Sequence, residues 1–220
     1  MGDIIQFNKK RYKGDKFMNN GKINNIKDID VSKSQKIRIE SIVKTIISET
    51  DFTESPSVDI VSLVKQADFV VQTSEMDINT TGCLIVNDLE HVMDTNKHRL
   101  IVVNENFRND NNDDNFKLKK SRFITAHEYG HFVLHKKQGQ PIYAHRDTYH
   151  RTDPLELEAD YFARSILMPY DIFNSYFNAI KKLGITDKNK IIVILSTIFK
   201  TTKDKVTKRL NDIDELQGCL

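Results

Sequence analysis

Residues 122–135, RFITAHEYGHFVLH, carry three of the chain's seven histidines, each four positions after the last. On a helix, His127 and His131 at i and i+4 share one face, about one turn apart. Two ring nitrogens at that spacing reach a single ion at about 2.0–2.1 Å without distorting the helix. Glu128 lies about 100° further round the helix, outside the ligand plane, where it can act as general base toward water at the ion. This is an HExxH pattern, and the chemistry it points to is metal-assisted hydrolysis. Gly130 gives up about 1 kcal/mol of helix propensity, which implies that another backbone or side chain approaches closely there. His135 continues the row two turns beyond His127, roughly 12 Å along the axis. It reads as a helix-end histidine favoured by the local dipole rather than as a third ligand.

Two histidines need a third protein ligand if the fourth position is to stay open for water. The stretch DPLELEAD, residues 153–160, offers one. Glu156 and Asp160 are again i and i+4: Glu156 is the candidate ligand, and Asp160 the candidate acceptor for a ligating histidine's other ring nitrogen. Two alternatives stand beside this. Asp153 at N-cap, Pro154 at N1 and Glu156 at N3 also form a capping box, and Glu158, on another side of the helix, is a competing third ligand. Tyr143, His145, Tyr149 and His150 lie between the two acidic and basic stretches and are candidate donors to a developing oxyanion. His91 and His98 carry no such signal.

These residues need helices to hold them and a scaffold to set the helices. Apolar spacing predicts a helix over about 121–137 and a second from Asp153–Pro154 to Leu167, stopped by Pro169. Upstream, SKSQKIRIESIVKTIISET reads as a Ser-capped helix with Ile37, Ile42, Val43, Ile46 and Ile47 on its apolar face, and VDIVSLVKQA as a shorter one. Three β-branched runs follow, DFVVQT, GCLIVND and RLIVVNEN, which suggest a small antiparallel sheet. NDNNDDN at 109–115 reads as a loop, and QPIYAHRDTYHR as irregular. Downstream, YDIFNSYFNAIKKLG, KNKIIVILSTIF and KDKVTKRLNDI read as three more helices. The order is α+β. The expected organisation is a flexible basic lead-in at 1–30, a core at 31–170 and a helical subdomain at 171–220.

A net charge of +2 provides no global basic field for nucleic acid. With 39% hydrophobic and 29% charged residues and 12 Phe, the chain can pack a core. No apolar run reaches membrane-spanning length, and MGDIIQFNKKRYKG turns charged too soon for a secretory signal. Two cysteines, Cys83 and Cys219, make neither a disulfide framework nor a metal knuckle. The expected location is cytoplasmic, with no membrane partner.

RFITAHEYGHFVLH followed by ELEADYFARSILMP resembles the ImmA/IrrE metallopeptidases, and VDIVSLVKQADFVV and LIVVNEN look like that family's preceding helix and strand. The resemblance covers about residues 35–215. It implies a zincin-type fold and a zinc-dependent endopeptidase of the cell interior. His127, His131 and Glu156 would be metal ligands and Glu128 the catalytic base, with Asp160 where the family often has Asn or Asp. Tyr129 stands where Leu is common, a departure expected to affect packing more than chemistry. The cofactor would be one Zn2+ per chain, at a site that also takes Mn2+ or Co2+ in vitro. Family members act by cleaving a helix-turn-helix repressor of the Xre class, often in phage, mobile-element or stress contexts. Such a repressor is the expected partner and substrate, with no direct nucleic-acid binding. An extended substrate would add to a sheet edge at GCLIVND or RLIVVNEN, while the basic helix around Lys205, Lys208 and Arg209, or the loop at 109–115, would dock the folded repressor. The competing reading is a non-proteolytic repressor- or DNA-binding module, or a toxin–antitoxin component. It draws on IIVILSTIFKTTKDKVTKRL, which has helix-turn-helix spacing.

Overall fold

A computed structural model describes residues 30–50, 55–77, 79–86, 99–106, 114–136, 142–147 and 153–218. The expected lead-in at 1–30 and loop at 109–115 fall outside these residues, apart from Asp30, Asp114 and Asn115. Among the described residues, seven helices and a four-stranded sheet follow one another as α1 (Lys33–Ser48), α2 (Ile60–Gln66), β1 (Val70–Ser74), β2 (Thr80–Val86), β3 (Arg99–Asn104), α3 (Asp114–His135), β4 (Ile142–Asp147), α4 (Pro154–Leu167), α5 (Tyr170–Lys182), α6 (Lys188–Ile198) and α7 (Lys203–Leu216). This is the α+β arrangement with a helical C-terminal part. Among the described residues no helix is long and apolar enough to cross a membrane.

The sheet order is β1-β3-β2-β4. β2 pairs antiparallel with β3 and β4, but β1 runs parallel to β3, so the sheet is mixed where the strand pattern suggested antiparallel. Period-2 alternation identifies strands and their buried faces without fixing which strand lies beside which. Thr80–Val86 alternates buried and half-buried at every step, as a central strand covered mainly on one face should. Consequently GCLIVND and RLIVVNEN are internal strands, and the margins are β1 and β4.

β4 is the element the apolar pattern missed. Ile-Tyr-Ala-His-Arg-Asp has no sustained apolar alternation, and its strand character comes from backbone pairing with β2. α3 begins at Asp114, about two and a half turns before its buried stretch, which starts at Phe123. Phe116 and Leu118 in that early part are exposed, so this turn has no core contacts to announce it.

Buried apolar side chains form two clusters. The first joins Ile39 and Val43 of α1, Ile60 and Leu63 of α2, Leu84, Ile101 and Val103 of the sheet, Ile124 and Ala126 of α3, and Phe162 and Ile166 of α4. The second is built from Met168, Phe173, Leu195, Phe199, Val206 and Leu210 around α5–α7. Polar side chains tie them together. Arg209 of α7 is fully buried. Its Nη2 donates to Glu40 Oε2 of α1 at 3.0 Å, its Nη1 to Glu40 Oε1 and to Ser165 Oγ, and its Nε to Met168 O at 3.0 Å. Tyr161 Oη and Ser165 Oγ complete the donors to Glu40, at 2.8 and 2.7 Å. Burial alone would raise the Glu40 pKa, but the Arg209 charge and these donors bring it below its ordinary value.

This corrects one expectation about α7. Arg209 faces the core and pairs with Glu40, and Lys205 is mostly covered, so the helix does not offer Lys205, Lys208 and Arg209 as one basic surface. Of the three, only Lys208 is exposed.

Candidate metal centre

α3 lies across the sheet with Phe123, Ile124 and Ala126 buried, and α4 crosses α3 at Gly130. A Cβ on Gly130 would sit 2.9 Å from Phe162 Cδ1 and 3.3 Å from its Cβ. The glycine therefore lets the Phe162 ring of α4 close onto α3, which is the close approach its presence implied. Tyr129, at the neighbouring position, packs edge-on against Phe69 and Phe162 at centroid distances of 5.9 and 6.0 Å, so its departure from Leu is absorbed in packing.

That crossing brings the first turn of α4 over His127 and His131, which are 0% and 5% exposed. Asp153 caps α4 by accepting from Leu155 N at 2.9 Å, with Pro154 at the first helical position. Glu156, third in the helix, faces the histidines instead of turning back to complete a capping box. Glu156 Oε2 lies 3.1 Å from His127 Nε2, and Oε1 lies 3.1 Å from His131 Nε2. The two Nε2 atoms are themselves 3.1 Å apart. Asp160, one turn on, places Oδ1 2.9 Å from His127 Nδ1.

These distances fit a metal ion. Ligand atoms at about 2.05 Å in tetrahedral array would stand about 3.3 Å from one another, close to the separation of the two Nε2 atoms and of each from its nearer Glu156 oxygen. The other ring nitrogens argue the same way. His127 Nδ1 faces the Asp160 carboxylate and so carries the proton, which leaves the Nε2 lone pair directed inward. A carboxylate and inward-facing imidazole lone pairs at such separations repel unless a cation lies among them. Protonation agrees. Burial pushes the His131 imidazole below its ordinary pKa, against the pull of Glu156, which favours the neutral form that ligates.

Glu128 is completely buried on the sheet side of the histidines. A Cβ on Gly82 of β2 would meet Glu128 Oε1 at 2.9 Å and Ile124 Cγ2 at 2.5 Å, so the carboxylate occupies room that only a glycine leaves. Burial, with the Glu128 charge added, pushes the Cys83 thiol up to about 11. Gly82 is a site residue the sequence reading passed over. The available signal was a glycine inside a β-branched run, which commonly marks close approach to the strand.

Two sequence expectations change. Glu158 stands apart from the His127–His131–Glu156 group, with its Oε2 3.1 Å from His135 Nε2. His135 is not a solitary helix-end histidine either, since its Nδ1 lies 3.1 Å from His131 Nδ1. Tyr143 and His145 are on β4, where the backbone is described and the side chains are not. Tyr149 and His150 lie outside the described residues.

A small mixed sheet carrying an HExxH helix, crossed by a second helix that supplies a glutamate, defines a zincin-like metallopeptidase scaffold. The sequence model of the IrrE N-terminal-like domain matches residues 74–185, just over half the chain. The chain belongs to this peptidase family. The matched region holds β2, β3 and β4, both site helices and α5, and leaves α1, α2, β1 apart from Ser74, α6 and α7 outside. No curated protein matches the chain.

Proposed function

We propose that the protein is a zinc-dependent endopeptidase in which His127, His131 and Glu156 hold one ion per chain and Glu128 is the general base. The convergence of the two histidine Nε2 atoms, 3.1 Å apart, on the Glu156 carboxylate, with each 3.1 Å from one of its oxygens, carries the reading. The residue set also suits Mn2+ or Co2+. When bound, the ion supplies Lewis-acid polarisation and acidifies water.

The chain's own residues supply the rest. Asp160 fixes the His127 tautomer. Glu128, enclosed by Gly82 and Ile124 in a dry setting, takes a proton from the attacking water as its oxygen adds to the peptide carbonyl carbon. It then delivers that proton to the departing amide nitrogen as the C–N bond breaks. β4 lies at a margin of the sheet and touches α3. An extended substrate pairing there by main-chain hydrogen bonds would cross the site, with Tyr143 or His145 of that strand as nearby oxyanion donors. Main-chain pairing selects little by sequence, so selectivity belongs to contacts with a folded substrate. The substrate class we propose is an Xre-type helix-turn-helix repressor, whose cleavage would derepress the genes it controls.

The test is Glu128→Gln, which preserves size and leaves the ligands in place. Cleavage of a cognate repressor should fall by about 10²-fold or more while metal content stays near that of the wild type. Undiminished cleavage would refute the assigned base.

A further inference from the structure

The two candidate ligand histidines are held from behind in different ways. His127 meets a carboxylate directly, Asp160 Oδ1 at 2.9 Å. His131 meets another histidine, with 3.1 Å between its Nδ1 and His135 Nδ1. The far nitrogen of that ring, His135 Nε2, stands 3.1 Å from Glu158 Oε2. Glu158 Oε1 in turn accepts from Gln35 Nε2. Gln35 is the residue whose amide oxygen accepts from Ser32 N at 3.2 Å in the capping box of α1. A single line of hydrogen bonds thus runs from the candidate metal ligand on α3, through α4, to the first turn of α1.

The line has a direction. An ionised Glu158 only accepts, so His135 Nε2 must carry the proton and His135 Nδ1 the lone pair. With that lone pair facing it, His131 Nδ1 must be the donor. The His131 lone pair is then on Nε2, directed at Glu156 and His127. Without Glu158, His135 is free to place its proton on Nδ1. His131 Nδ1 would then have to accept, its own proton would move to Nε2, and the ligand atom would be blocked.

We infer that His135 and Glu158 are positioning residues for the metal centre, a histidine–carboxylate relay that sets the tautomer of His131 as Asp160 sets that of His127. This rests on the metallopeptidase reading above. Both residues are well sheltered, their side chains each 12% exposed, so water does not readily substitute for either partner. The arrangement also accounts for the third member of the histidine row, which is too far along the helix to share the ion.

Zinc affinity measured by chelator competition tests this on the full chain. Loss of an outer partner of a metal ligand commonly costs 10–100-fold in affinity, and His135→Leu and Glu158→Ala should each fall in that range. His135→Asn should recover most of the loss, because its side-chain oxygen can accept from His131 Nδ1. A merely structural histidine would not be rescued this way. Ring 15N–1H spectra of the metal-free wild type, taken above about pH 8 where imidazoles are neutral, should show His131 protonated at Nδ1 and His135 at Nε2. Unchanged affinity in His135→Leu, equal loss in His135→Asn, or the opposite tautomers would each overturn the relay. A wild-type protein that binds no zinc would sink the metallopeptidase reading, and the ring spectra would still decide the relay.

Discussion

Replacing Gly82 with alanine should damage catalysis far more than folding. The added Cβ would lie 2.5 Å from Ile124 Cγ2, 2.9 Å from Glu128 Oε1 and 3.3 Å from Val102 O. Ordinary carbon contacts are about 3.5–4.0 Å, so the overlap with Ile124 is about 1 Å. Ile124 is buried between α3 and the sheet, and its branched side chain has little room to turn. Glu128 is the freer of the two, because a carboxylate at the end of two methylenes can swing aside. Overpacking of one methyl into a tight site costs about 1–3 kcal/mol, which for a chain of this size is roughly 2–4 °C of melting temperature per kcal/mol. Displacing the base by about 1 Å is worth about 10²-fold in rate. Zinc content should stay near that of the wild type, since none of the three donors touches Gly82. The assay is kcat for repressor cleavage alongside bound zinc and a thermal melt. A folded, zinc-loaded Gly82→Ala enzyme within a few-fold of wild-type kcat would show that Glu128 does not depend on this strand.

Arg209→Met should destabilise the protein by about 3–5 kcal/mol, the usual consequence of leaving a buried partner uncompensated, because Glu40 is only 4% exposed. Urea unfolding checks it, and a loss under about 1 kcal/mol would refute the pairing's importance. The same pair sets a pH trend: a depressed folded-state pKa stabilises above the ordinary carboxylate range near 4.5 and loses that contribution as pH falls through the folded value, so Arg209→Met should flatten the acid limb of stability. Asp160→Ala should weaken zinc binding by about tenfold or more, because Asp160 Oδ1 is the partner of His127 Nδ1 at 2.9 Å. Lys208→Glu, on the exposed side of α7, should leave zinc affinity unchanged in the same chelator titration.

What could be read from the sequence was the chemistry that local periodicity controls. The i, i+4 spacing of His127 and His131 and of Glu156 and Asp160 is a property of one helix each, and the helices are bounded by strong local signals such as Asp153, Pro154 and Pro169. The fold class followed from the same periodicities. The misplaced parts depend on contacts between distant segments. β4 exists through its pairing with β2, and the parallel β1–β3 pair depends on strand order. Arg209 reads as a surface cation until the buried Glu40 of α1 is placed beside it. His135 illustrates the limit best. Its distance from His127 along the helix argued against a shared ion, but its partner Glu158 is on another helix, and no spacing rule within α3 could reveal it.

The most direct test of the account is the metal content of the purified protein by elemental analysis, comparing wild type with His131→Ala and Glu156→Ala. The donor geometry calls for about one divalent ion per wild-type chain, lost in His131→Ala and held more weakly in Glu156→Ala, with Glu158→Ala weakened only through His135. Stoichiometric metal retained when both His127 and His131 are replaced by alanine would place the ion elsewhere and contradict the central claim.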